Sequence, residues 1–134
     1  MANGMSIFDI SGRAMAAQLV RLNTSASNLA NAGTVAGSAD KALKAMKPVF
    51  RTVMGDAGRA TVQVERIDSS TSAPVKRHDP NHPLADKDGN VWEAAVDSTA
   101  EMVEMLEISR QYQNNVQVLS TAKGLISETL RLGQ

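Results

Sequence analysis

Two histidines, His78 and His82, share the stretch "RHDPNHPLADKDGNV" with Asp79, Asp86 and Asp88. These are the residue types that ligate zinc or carry metal-assisted acid–base chemistry. Metal ligands have to be held on defined elements and oriented by a second layer of hydrogen bonds. Pro80 and Pro83 interrupt this stretch, so the expectation is turn chemistry, with Asp and Asn side chains bonding nearby backbone groups. "DKDGN" (86–90) opens like a calcium loop, but its glycine comes too early and no Glu stands at the twelfth position. The chain has no Gly-rich phosphate loop, nucleophile elbow or HExxH motif. The reading is therefore a protein without a catalytic site, metal or cofactor.

A second group of polar residues lies where a helix should be. "RLNTSASNLANAGT" (21–34) interleaves Leu22, Ala26 and Leu29 with serines, threonines and Asn23, Asn28 and Asn31. Short polar side chains compete with the helix for backbone bonds. Two accounts remain open at this level. The asparagines belong to a fraying helix end, or they bond across a helix interface and fix its register, as a buried Asn does in a coiled coil.

The elements that would position these residues follow from periodicity. A helix is expected from Ser6 to about Asn31, with Ser6 and Asp9 capping it and Met5 stapled to Ile10. Met15, Leu19, Leu22, Ala26 and Leu29 form its heptad stripe, and Asn31-Ala32-Gly33 its stop. A second helix is expected from Ser98 to about Leu132, opened by a capping box of Ser98 and Glu101. Its stripe runs Met102, Met105, Ser109, Tyr112, Val116, Leu119, Lys123, Ile126 and Leu130. A rod of roughly 50 Å needs another long helix or neighbouring molecules along its side. Met102 and Met105 suit adaptable packing or a surface that meets several partners.

Between the helices, "PVFRTVM" (48–54) and "RATVQVERI" (59–67) around "GDAG" predict a β-hairpin. "DSSTSAP" (68–74) reads as a linker, 77–91 as a chain of turns, and 36–47 receives no assigned structure. The fold class is mainly α with a small β insert, the two terminal helices packing as a coiled-coil-like pair. Residues 1–35 and 97–134 would form a discontinuous helical core domain, and 36–96 the insert.

Composition narrows the function classes. Fourteen Lys and Arg balance fourteen Asp and Glu, which leaves no global field for nucleic acid or anionic lipid. Cysteine is absent, removing disulfides and thiolate chemistry. No basic n-region precedes an apolar h-region, so no cleavable secretory signal is expected, and no run reaches the ~18 apolar residues of a membrane span.

Arg21, Asn23 and "SNLAN" (27–31) resemble the N-terminal signature of the bacterial flagellar rod, hook and hook-associated axial proteins. "DPNHPLADKDGNV" (79–91), Asp97, "EMVEM" (101–105), "SRQYQNNVQVL" (109–119) and "TLRLGQ" (129–134) resemble its small proximal-rod branch. Departures lie in the middle: "SADKALKAMKPVF" (38–50) lacks a tyrosine usual in that branch, and "GNVWEAAVD" (89–97) replaces a Gly-Tyr-Val with Pro-Asn. The resemblance implies a structural subunit that polymerises through its terminal helices into the periplasmic shaft of the basal body and transmits motor torque. It also implies export through the flagellar type III apparatus without signal cleavage. Implied partners are other copies of the chain, other rod proteins and the adaptor at the inner-membrane MS ring, with no nucleic acid.

Read this way, the helix-core and subunit-interface residues are Leu22, Asn23, Asn28, Leu29 and Asn31 on the first helix. On the second they are Met102, Tyr112, Asn115, Val116, Leu119, Ile126 and Leu130. The alternatives are another small flagellar rod protein, or a secreted helical binding module unrelated to the rod.

Overall fold

A computed structural model describes residues 6–55 and 58–133. Helix α1 (Ile7–Asn31) opens on a capping box. The Asp9 N–H donates to the Ser6 hydroxyl at 3.2 Å and the Ser6 N–H donates to the Asp9 carboxylate at 2.9 Å. The backbone bond first, then the hydroxyl of Ser6, hold the Asp9 carboxyl below its usual range. A lowered value means this cap contributes at neutral pH and is lost as pH falls through it. The expected staple involves Met5, which lies outside the described residues. The helix stops in a type II turn: Ala32 has φ −62 and ψ 135, Gly33 φ 78, and the Thr34 N–H donates to the Asn31 carbonyl at 3.2 Å. Glycine is needed there because the third turn position requires positive φ.

Helix α2 (Ser98–Leu132) has the expected bounds but a different cap. Asp97, not Ser98, is the N-cap, its Oδ1 accepting from Thr99 and Ala100 N–H at 3.0 and 3.1 Å. The carboxylate is the stronger acceptor at the positive end of a helix, and Glu101 is engaged elsewhere. Asp97→Ala should lower stability by about 1 kcal/mol, read as a fall in the thermal midpoint, with the helix start fraying.

The predicted hairpin is present as strands β2 (Met46–Met54) and β3 (Ala60–Ser69), paired from Met54↔Ala60 to Met46↔Ser69 with a bulge between Val49 and Phe50. Three further strands have no counterpart in the sequence reading: β1 (Val35–Ala36), β4 (Val75–His78) and β5 (Asn90–Glu93) form an antiparallel sheet in the order β1-β5-β4. They correct the reading of 36–47 as unassigned and of 77–91 as turns alone. β4 lacks apolar alternation and β1 is two residues long, so neither carries a periodic signal. Residues 79–89 do form turns. The Asp86 carboxylate accepts from Asp88 and Asn90 N–H at 2.9 and 2.8 Å, and His82 Nδ1 accepts the Leu84 N–H at 3.1 Å. Gly89 closes them at φ 74, where an added Cβ would stand 3.1 Å from His78 and Pro80 atoms.

The two helices span 25 and 35 residues, about half the chain. They run antiparallel, since Gln18 reaches Asn115 while Asn28 reaches Glu101. The hairpin lies against α1. Apolar burial is small-sided: among the described residues only Val91 and Ile108 are large and fully enclosed, beside Ala17, Ala42, Ala45 and Ala94.

Candidate assembly interface

The seam between α1 and α2 combines a polar network with the enclosed Ile108 of α2. Of the buried α1 residues Ser11, Ala17, Thr24, Ser25 and Asn28, Ser25 and Asn28 lie beside Glu101 and Glu104 of α2, whereas Thr24 and Ala17 lie against the hairpin. The heptad stripe of leucines lies on another face. The side chains buried here are small, and the longer polar ones bond within their own helix or across to α2. The buried Thr24 hydroxyl donates to the Val20 carbonyl at 2.8 Å. Asn115 donates to Gln18 at 3.1 Å, Gln18 and Arg21 both donate to the Gln111 carbonyl at 3.4 Å, and Gln111 donates to Glu107 at 3.1 Å. Arg21 also pairs with Glu104 in a half-exposed ion pair.

Asn28 is the junction of this network and is 4% exposed. Its amide nitrogen donates to the Met46 carbonyl at 2.8 Å and to the Glu101 carboxylate at 3.0 Å, while its oxygen accepts the Met46 N–H at 2.7 Å. The side chain pairs with Met46 as a neighbouring strand would, tying α1 to the start of β2 and to α2 with every donor used. The need for an acceptor opposite the Met46 N–H sets the orientation of the amide.

The other sequence-derived positions fall into two environments. Asn23 is exposed on the hairpin side of α1, and Asn31 is half-buried where its carbonyl accepts the Thr34 N–H and hydroxyl. Asn115 spends an amide hydrogen on Gln18 inside the chain. Leu22 and Tyr112 line an open groove with Gln18, Leu19, Ile108, Ser109 and Gln113, on a side of the helix pair where no hairpin residue contributes. Leu29 and Leu119 are half-buried, and Met102, Val116, Ile126 and Leu130 are exposed.

The two apolar stripes are thus only partly covered within the single chain. A strict heptad drifts roughly 20° per repeat around a straight helix, so the α2 stripe starts on the outside at Met102 and reaches the level of Ile108's face only near Ile126. Sequence reasoning missed Gln18, Gln111, Glu104 and Met46 as partners, and read Glu101 as part of a capping box. The signal available was the second stripe of small and amide residues, Ala14, Ala17, Gln18, Arg21, Thr24, Ser25 and Asn28.

Among the described residues no three His, Asp or Glu converge as a metal site, and no helix is long and apolar enough to cross a membrane. What the surface offers is hydrophobic: Leu19, Leu106, Val118 and Leu125 are among the exposed large side chains of the two helices.

Residues 8–37 match the family described as flagella basal body rod protein, and 87–132 match the C-terminal family of flagellar basal body rod FlgEFG proteins. The flagellar basal-body rod protein FlgC of Salmonella typhimurium is 43% identical over 132 residues, covering 97% of this chain and 98% of the relative. The FlgC proteins of Escherichia coli O6:H1 and Yersinia enterocolitica are 46% and 44% identical with the same coverage.

Proposed function

Because the chain belongs to the FlgC family of flagellar basal-body rod proteins and is a structural rod subunit, we propose that its terminal helices are the polymerising element. The observation that carries this is the inverted distribution of side chains. The helices meet through a largely polar network around Ile108, while many of their long apolar side chains, among them Leu19, Met102, Val116, Ile126 and Leu130, remain exposed. Coiled-coil-like packing of the stripes is then completed between molecules, and Leu22, Leu29, Met102, Tyr112, Val116, Leu119, Ile126 and Leu130 become interface residues. Asn23 is exposed on the hairpin side of α1 as a further contact for a neighbour, whereas Asn28, Asn31 and Asn115 shape the subunit from within.

In this reading residues 1–35 and 97–134 act as the assembly core, and 36–96 is an insert packed on it. The chain has no enzymatic role. It is exported without signal cleavage by the type III apparatus and joins copies of itself, other rod proteins and the MS-ring adaptor in a periplasmic shaft that carries torque.

The test is complementation. Cells lacking this chain should regain rods and swimming with the full chain but not with one ending at Gly124. The shortened chain lacks the exposed apolar end of α2 and keeps the seam bonds of Gln18, Arg21 and Asn28. Export of the shortened chain, followed separately, should persist. Normal rods built from it would refute the terminal-helix reading.

A further inference from the structure

The groove lined by Leu19, Leu22, Ile108 and Tyr112 and the free end of α2 are complementary. The pairings Gln18 to Asn115 and Asn28 to Glu101 place Ile7 level with roughly residue 124 of α2 at 1.5 Å per residue. The last turns of α2 therefore project beyond the start of α1. Their large side chains stand in solvent, Leu130 at 67% and Leu132 at 85% exposure. Charge runs in the same sense. The first turns of α2 carry Glu101, Glu104 and Glu107, and its last turns carry Lys123, Glu128 and Arg131, a net single positive charge, so the end of one helix is electrostatically suited to lie beside the beginning of another.

We propose that the groove between α1 and α2 receives the C-terminal turns of α2 from a second copy of this chain, with Leu130 seated against Leu22 and Tyr112. This rests on the polymer reading above and specifies its contact. Groove and tail are different patches of one surface, so each copy offers one of each. The contact is heterologous and propagates instead of closing into a dimer. Lys123 and Arg131 of the incoming helix approach the acidic start of the receiving one. The amides of Gln18 and Gln113 at the groove edge remain able to bond its backbone end.

The absence of cysteine makes the contact directly testable. Within one chain Leu22 lies level with roughly residue 109, about 30 Å along the helix from Leu130, far beyond the ~4.4–6.8 Å Cα separation of a disulfide. A bond between these positions can only join two copies. Leu22→Cys and Leu130→Cys chains would be produced together in cells lacking the wild-type chain, and basal bodies isolated after mild oxidation. The expected major cross-linked species is the mixed Leu22→Cys with Leu130→Cys dimer. Leu19→Cys serves as a second groove position should Leu22→Cys fail to assemble. Basal bodies that contain both variants yet give no mixed dimer, or only Leu130→Cys pairs, overturn this docking and leave the polymer reading intact. A wild-type chain that is absent from basal bodies isolated from wild-type cells overturns both.

Discussion

Asn28→Asp should be the most destabilising conservative substitution in the chain. It replaces the amide nitrogen, which donates to Met46 and Glu101, by an oxygen that faces two acceptors. At 4% exposure the new carboxylate has no route to solvent and lies against an existing one. Leaving a buried charge uncompensated costs about 3 to 5 kcal/mol, a large part of the ~5 to 15 kcal/mol that holds a typical domain. The same change at Asn23, exposed on the same helix, should stay within about 0.5 kcal/mol. Urea unfolding of the two purified variants makes the comparison. Equal midpoints for the two would show that the Asn28 junction contributes little, and the account of how α1, β2 and α2 are joined would fail.

That junction also shows where local patterns stop being informative. The ends of α1 are legible because a capping box and a glycine turn are made by residues within a few positions of one another. The cap of α2 differs by one residue from its sequence pattern for a non-local reason. Ser98 and Glu101 form a valid capping pattern, but Glu101 accepts a bond from Asn28, 73 positions away in the chain. The sheet of β1, β4 and β5 leaves no local signal for a related reason. β1 is two residues long and exists because β5, far along the chain, offers its edge.

The candidate interface is legible in part. The residues of both heptad stripes are recognisable as apolar and long-spaced, yet which face of each helix meets the other depends on backbone approach. Ser25 and Ala17 allow that approach on α1 and leucine does not. A stripe of leucines in an isolated sequence reads as a core. Here the closer packing of small side chains, reinforced by the Gln18, Arg21 and Gln111 bonds, turns the leucines aside.

The same division predicts a sharp separation between folding and assembly. Val116→Glu alters a side chain that is 46% exposed in the single chain, and a glutamate there can reach water. The purified variant should unfold within about 0.5 kcal/mol of wild type. Leu29→Glu, at a half-buried position, should cost somewhat more while leaving the Asn28 junction one residue away intact. In the polymer both positions would be enclosed by a neighbour. Removing an apolar side chain from such an enclosed position costs about 1.5 to 3 kcal/mol. A carboxylate enclosed without a partner adds several kcal/mol more, and the penalty recurs at every copy. Cells carrying either variant should export the chain, lack rods in basal-body images and fail to swim. The informative contrast is with Asp97→Ala, which weakens the fold at the N-cap that precedes the α2 stripe, leaves every stripe side chain in place and should leave rods and swimming in place. If Val116→Glu and Leu29→Glu cells built rods and swam as wild type does, the outward faces of these helices would not be the surfaces that join subunits.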